Sequence, residues 1–457
     1  MAIKNWIGGF STHFNDPANW NPAGTPDSTS DVIIGAGFAI DSPATITINS
    51  LALAATSSLT INAATTFTVN SGTVGAGIAG TLNVADSAVL SIGGTIVNSG
   101  TINESSTGTT TQIKLTQTTN TLQGGGKLVL SANTNNLIFA TTSTFLLDNQ
   151  DNTISGGGNI GNGSMVLSNE GIINANQSTA ALTINTGTNV ITNSGTMEAT
   201  NGGDLNIVSA VNNVGGTIEA IGAGSVVVLQ GNVTGGTVTT SGGGVIQTSG
   251  ASGVLDGLGL HPVTNGSAIQ VLNGQSLTLL GTIINNSSIS LNATANATNL
   301  RIGSPVVTLK GTGAIHLTNN ANNQIFGNNG AFKLVNLTNT IDGAGLLGAN
   351  SLTFSNAGTV DANQPGSLTL NTGANLAINT GVMQSSNTGG LVIQNTAVDN
   401  AGGTIQALVA GSHVDLSGGT IQGGTLKTAA GGVIQTISGN GGLEIWVPIR
   451  DESGPQR

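Results

Sequence analysis

The chain has 457 residues, 70 of them glycine, and a formal net charge of -11. Charged residues make up 6 % and aromatics 3 %, cysteine and tyrosine are absent, and mean hydropathy is +0.20. These figures exclude a disulfide scaffold, a thiolate metal site, the basic footprint of a nucleic-acid binder and charge-driven disorder.

The head comes first. Four of the nine prolines, Pro17, Pro22, Pro26 and Pro43, lie there, together with Trp6, Phe10, Phe14 and Trp20. An open stack of strands exposes a sticky edge at each end. Residues 1–48 are therefore read as an N-terminal capping segment, with Trp6, Phe10, Phe14 and Trp20 as cap or assembly contacts. Trp6 and Trp20 either close the core or form an aromatic pair that contacts carbohydrate. The start MAIKNWIGGF has no apolar h-region, so no secretory leader is expected in it.

The body, residues 49–441, is rich in Gly, Asn, Thr, Val and Ile and poor in helix formers. Segments such as Leu182-Thr-Ile-Asn, Val226-Val-Val-Leu and Leu368-Thr-Leu-Asn read as short strands with one buried face. Asn-Gly and Gly-Gly steps supply the tight corners between them. A GTI-like step recurs at Thr196, Thr217 and Thr237, and again at Thr359, Val382, Thr404 and Thr425. A period of about 20–24 built from short strands is a solenoid pattern. The expected core is Val, Ile, Leu and Ala, with Phe139, Phe145, Phe326 and Phe332 as large fillers. About 19 coils at about 4.8 Å each would give a rod about 90 Å long.

A longer repeat overlies the short one. NTISGGGNIG from Asn152 returns as NTIDGAGLLG from Asn339, and LSNEGIINANQ from Leu167 returns as FSNAGTVDANQ from Phe354. The offset is nearly constant along the chain and gives tandem copies over about 68–254 and 255–442. The remaining 442–457 form a short charged tail carrying Trp446, read as the other cap or as a docking segment. A third copy starts there and stops. The chain is then a piece of a longer array, an array whose end has been rewritten, or one with a ragged natural cap.

The head, NWIGGFSTHFNDPANWNPAGTPDSTSDVII, resembles the opening of very large secreted bacterial β-strand-repeat proteins. The residues that carry the likeness are Trp6, Gly8, Gly9, Asn19, Trp20, Pro22, Gly24, Pro26, Asp31, Val32 and Ile34. The body, with NSGTIN, GGTIEA and GGTIQGGTL, is similar to repeats of filamentous-haemagglutinin-like and autotransporter-passenger adhesins. That resemblance implies an extracellular or cell-surface rod in adhesion, biofilm or fibre formation. The calcium-binding nonapeptide G-G-x-G-x-D is absent from the sequence.

Chemistry is sparse. The four histidines, His13, His261, His316 and His413, have no metal-ligand spacing to one another. GGGNIGNG at 156–163 lacks the GK[ST] ending of a phosphate loop. The duplication tests the charges. Glu170 faces Ala357, Glu198 faces Gln384, Glu219 faces Gln406, Asp342 faces Ser155, Asp361 faces Asn174, Lys127 faces Ala314, Lys310 faces Gln123 and Lys333 faces Leu146. Among the positions compared, only Asp256 and Glu444 agree in sign, so these charges read as solvated surface.

The sequence thus predicts an all-β, right-handed parallel β-helix (β-solenoid) of about 20–24 residues per coil with an N-terminal cap. No catalytic, cofactor-binding or metal-binding residues and no cofactors are expected. The expected role is a non-enzymatic extracellular adhesive or structural rod, secreted or on the surface of a bacterium. Partners are other copies, end to end or lateral, or surface glycans, with no nucleic acid and no transmembrane segment. The alternatives are a self-assembling filament protomer and a polysaccharide-binding or polysaccharide-degrading β-helix.

Overall fold

Strand period and corner chemistry decide the architecture. In the computed structural model, which describes residues 2–249, 253–438 and 442–444, each coil is three short strands joined by tight corners. One coil runs Val166–Asn169, Ile172–Ala175 and Leu182–Ile184, after which Ile191–Asn193 stacks in parallel on Val166–Asn169. Side chains alternate across each strand. Leu167, Ile173, Ala175, Leu182 and Ile184 therefore all point inward, and each is 0 % exposed. Burying one Leu or Ile contributes about 1.5–3 kcal/mol, so a single coil has little core and only stacking completes it.

The register carries the predicted step. Thr196 pairs with Thr217, and Thr217 with Thr237. Thr359 pairs with Val382, Val382 with Thr404, and Thr404 with Thr425. The parallel ladder already includes Ser30–Ile34 and Ala39–Ser42. Among the described residues the one helical element is the 3-10 turn Pro17–Asn19.

The chain divides into two compact units, Met1–Val254 with Gly266–Ala268, and Leu255–Asn265 with Ile269–Arg457. Each is an all-β parallel β-solenoid. In the second unit the coil Thr353–Asn356, Thr359–Ala362, Leu368–Leu370 repeats the arrangement, with Phe354, Val360, Ala362, Leu368 and Leu370 fully buried.

Asparagine does more than turn corners. In the first unit Asn149 Nδ2 donates to Asn169 Oδ1 (2.8 Å), Asn169 to Asn193 (2.8 Å) and Asn193 to Asn213 (2.7 Å). In the second unit Asn336, Asn356, Asn379 and Asn400 form the same chain of amides at 2.8, 2.9 and 2.7 Å. All eight are 0 % exposed. Each amide sits at the corner between the first and second strands of its coil and also serves backbone carbonyls, so the buried polar line is satisfied from rung to rung, except that the Oδ1 of Asn149, at the start of its chain, has no partner.

One expectation about the core is overturned. Phe139, Phe145, Phe326 and Phe332 are only half-buried. In Asn136–Ala140 the inward positions belong to Asn136, Ile138 and Ala140, which turns Phe139 to the outside. The fully buried phenylalanines are Phe14, Phe67 and Phe354. Where a coil turns most tightly, only glycine fits. Gly156 has φ +129, and a Cβ there would collide with the Leu130 carbonyl.

Candidate functional site: the cap and the outward faces

The cap is built on the strand Ala2–Trp6, antiparallel to Trp20–Asn21 and parallel to Ser30–Ile34. Trp6 and Trp20 meet edge to face at 4.9 Å and 82°. Phe14 meets Trp20 at 4.8 Å and Phe67 at 5.1 Å. Trp20 Nε1 donates to the Phe14 carbonyl at 2.8 Å, so its polar handle is satisfied inside. Lys4 Nζ donates to the carbonyls of Pro22, Ala23 and Gly24 at 2.9, 3.1 and 3.0 Å and pins the proline-rich loop.

The four candidate cap residues therefore separate. Trp6, Phe14 and Trp20 are 5 %, 0 % and 1 % exposed and close the end of the core. The carbohydrate-platform reading of Trp6 and Trp20 fails, because neither ring has an open face. Phe10 is 70 % exposed and contributes no ring contact among the described residues. Trp446 lies outside the described residues.

On the second strand of each coil, outward side chains form stripes. In the first unit Asn174, Glu198 and Glu219 are successive rungs. Asn174 Nδ2 donates to Glu198 Oε1, and Thr200 donates to Asn174 Oδ1 at 2.9 Å. Partial burial, and then the charge of Glu219 one rung away, push the Glu198 carboxyl above its ordinary value. In the second unit the stripe is His316, Asp342, Asp361, Gln384 and Gln406. His316 Nδ1 lies 2.7 Å from Asp342 Oδ1, and this bond raises the imidazole pKa against the opposing effect of burial. Asp361 accepts from Gln384 at 2.8 Å and from Ser386 at 2.7 Å, and Gln384 accepts from Gln406 at 2.8 Å. The acids of this stripe are held by amides, a hydroxyl and an imidazole. Among the described residues no group of three or more His, Cys, Asp or Glu is placed to hold a metal. No helix of the described residues is long and apolar enough to cross a membrane.

Two features escaped the sequence reading. Glu104 ends the strand Thr101–Glu104 and is 0 % exposed. Its Oε1 accepts from the Leu137 N–H at 2.7 Å, its Oε2 has no partner, and burial raises its pKa to about 8. Sealed in the core, it is a neutral acid at neutral pH with no access to a substrate. The second feature is a pair of cations, Lys114 and Arg301, which stand at equivalent positions of the two long repeats. Aligning every charge, rather than a selection, would have found them.

With the geometry in place, similarity to known proteins is narrow. Residues 5–114 match the profile of a protein family described as a domain of unknown function (DUF8693), a likeness that covers about a quarter of the chain. That stretch contains the aromatic cap and the first rungs. No curated protein and no solved structure matches the chain.

Proposed function

We propose that this chain is a non-enzymatic structural scaffold of the bacterial exterior, a stalk, adhesin or fibre component. The observation that carries the reading is the repeated rung itself. Apolar residues and an asparagine line fill the inside of the coils, while Thr, Ser, Asn and Gln dress the outside. Such a body resists local opening, since each strand is bonded above and below. It offers many weak polar contacts, which add through avidity. The resemblance of the head and repeats to secreted β-strand-repeat adhesins supports the extracellular setting.

The test is made in the source bacterium. Protease added to intact cells should remove the protein, and deletion of its gene should reduce attachment or biofilm. Protein protected inside the cell, with attachment unchanged on deletion, would overturn the reading.

A further inference from the structure

Both long repeats place a cation beside an aromatic ring on the third strand of a coil. In the second unit Arg301 stands in register with Thr278 on one side and Phe326 on the other. Its guanidinium carbon is 5.8 Å from the centre of the Phe326 ring. Its Nε is shielded from solvent and has no hydrogen-bond partner. The rung after Phe326 is Gly348, with φ +102, where a Cβ would collide with the Asn371 carbonyl of the next coil. In the first unit Lys114 stands between Ser91 and Phe139, and Phe139 is followed by Gly161, also with φ +102. Cation, ring and bare glycine all recur at the same offset, from Lys114 to Arg301, Phe139 to Phe326 and Gly161 to Gly348. Most charges of one repeat are neutral in the other, so this trio stands out. Among the described residues no carboxylate forms an ion pair with Lys114 or Arg301.

The arrangement asks for a ligand with an anion on one edge and a flat apolar face beside it. Guanidinium binds a carboxylate through two parallel N–H donors, and lysine offers the same charge from a point. The exposed part of a phenyl ring accepts an apolar face, which a free phosphate does not have. Nucleic acid is disfavoured by a net charge of -11 and only nine basic residues in the chain. A uronic acid has both required parts, a carboxylate and a face of ring C–H groups. We propose that each unit carries a subsite for one uronic-acid residue of an acidic polysaccharide, with Arg301 or Lys114 on its carboxylate and Phe326 or Phe139 against its sugar ring. The proposal rests on the reading of the solenoid as a surface scaffold and names the chemistry that its outer face would hold.

The alternative role for the trio is stability alone, with the basic side chain shielding the ring. Titration of the full-length chain with oligogalacturonate, and with the same oligomer methyl-esterified, separates the two. The acid form should bind, the neutral ester about tenfold more weakly or worse. The double variant Lys114→Gln/Arg301→Gln should lose about tenfold for the acid form while its thermal midpoint stays close to that of the wild type. Phe139→Leu/Phe326→Leu, which removes the flat ring but keeps an apolar side chain on the outer face, should weaken both forms. No binding of the acid form by wild-type protein, equal binding of acid and ester, or unchanged binding by the cation double variant would each overturn the subsite. Failure here leaves protease accessibility and attachment of intact cells untouched, so the subsite and the scaffold reading fall separately.

Discussion

Glu104 and Leu291 occupy the same place in the two long repeats, and both are 0 % exposed. TINE in the first repeat thus puts a carboxyl where SISL in the second puts an isobutyl group. The rungs in register with Glu104 on either side are Val84 and Leu130, both fully buried. No charged group contributes to its shift, which comes from burial against the single Leu137 N–H.

The pH dependence follows. An unfolded glutamate ionises near 4.5, and folded Glu104 holds its proton up to about 8. Between those values folding takes up a proton, so stability falls as pH rises, by about 1.4 kcal/mol per pH unit. Below the window the contribution is flat. Glu104→Leu should flatten the slope and raise the unfolding midpoint at pH 8, and Glu104→Gln should flatten it while keeping an acceptor for Leu137. Calorimetry of the three proteins from pH 4 to 9 checks this. An unchanged slope in Glu104→Leu would contradict the assignment.

Asn193 accepts from Asn169 and donates to Asn213 inside the first unit. Asn193→Ala removes both bonds and leaves a buried donor and a buried acceptor. A loss of about 2–4 kcal/mol is expected in urea unfolding. Asn193→Asp has nearly the same shape but no donor for Asn213, and it should lose at least as much at neutral pH.

The cap aromatics should divide by burial. Trp20→Ala opens a cavity under Phe14 and Trp6 and should cost about 3–5 kcal/mol. Phe10→Ser, at a position 70 % exposed, should stay within about 0.5 kcal/mol. The same thermal assay reads both.

His316 should titrate above an ordinary histidine because of its bond to Asp342. Since the folded value is the raised one, the pair stabilises fully below the unfolded histidine range and loses that effect as pH rises through the folded value. The side chain is 47 % exposed, which keeps the effect on stability small. A proton-resonance titration measures it, and Asp342→Asn should return the midpoint to the ordinary value or below.

The spacing of Thr196, Thr217 and Thr237 was legible because each step brings the same strand position back to the same rung. The inner Val, Ile and Leu were legible for the same reason. For the phenylalanines size alone favours the core, but alternation along the strand decides, and Phe139 falls on the outward side of its strand. The asparagine line was hidden because Asn is also the ordinary corner residue, and nothing local separates an amide that turns a corner from one that bonds the coil above. Trp6 and Trp20 carried both readings of the cap, and only three-dimensional packing against Phe14 decided between them.

Stacking of coils at the GTI step is the central claim, and the chain's lack of cysteine makes it directly measurable. Neighbouring rungs lie about 4.8 Å apart, inside the Cα range that a disulfide spans, and alternate rungs lie about 9.6 Å apart, outside it. The pair Thr196→Cys/Thr217→Cys should oxidise to an intramolecular disulfide in the folded protein, and Thr196→Cys/Thr237→Cys should not. Cross-linking of the second pair, or none in the first, would contradict the solenoid register on which every other inference stands.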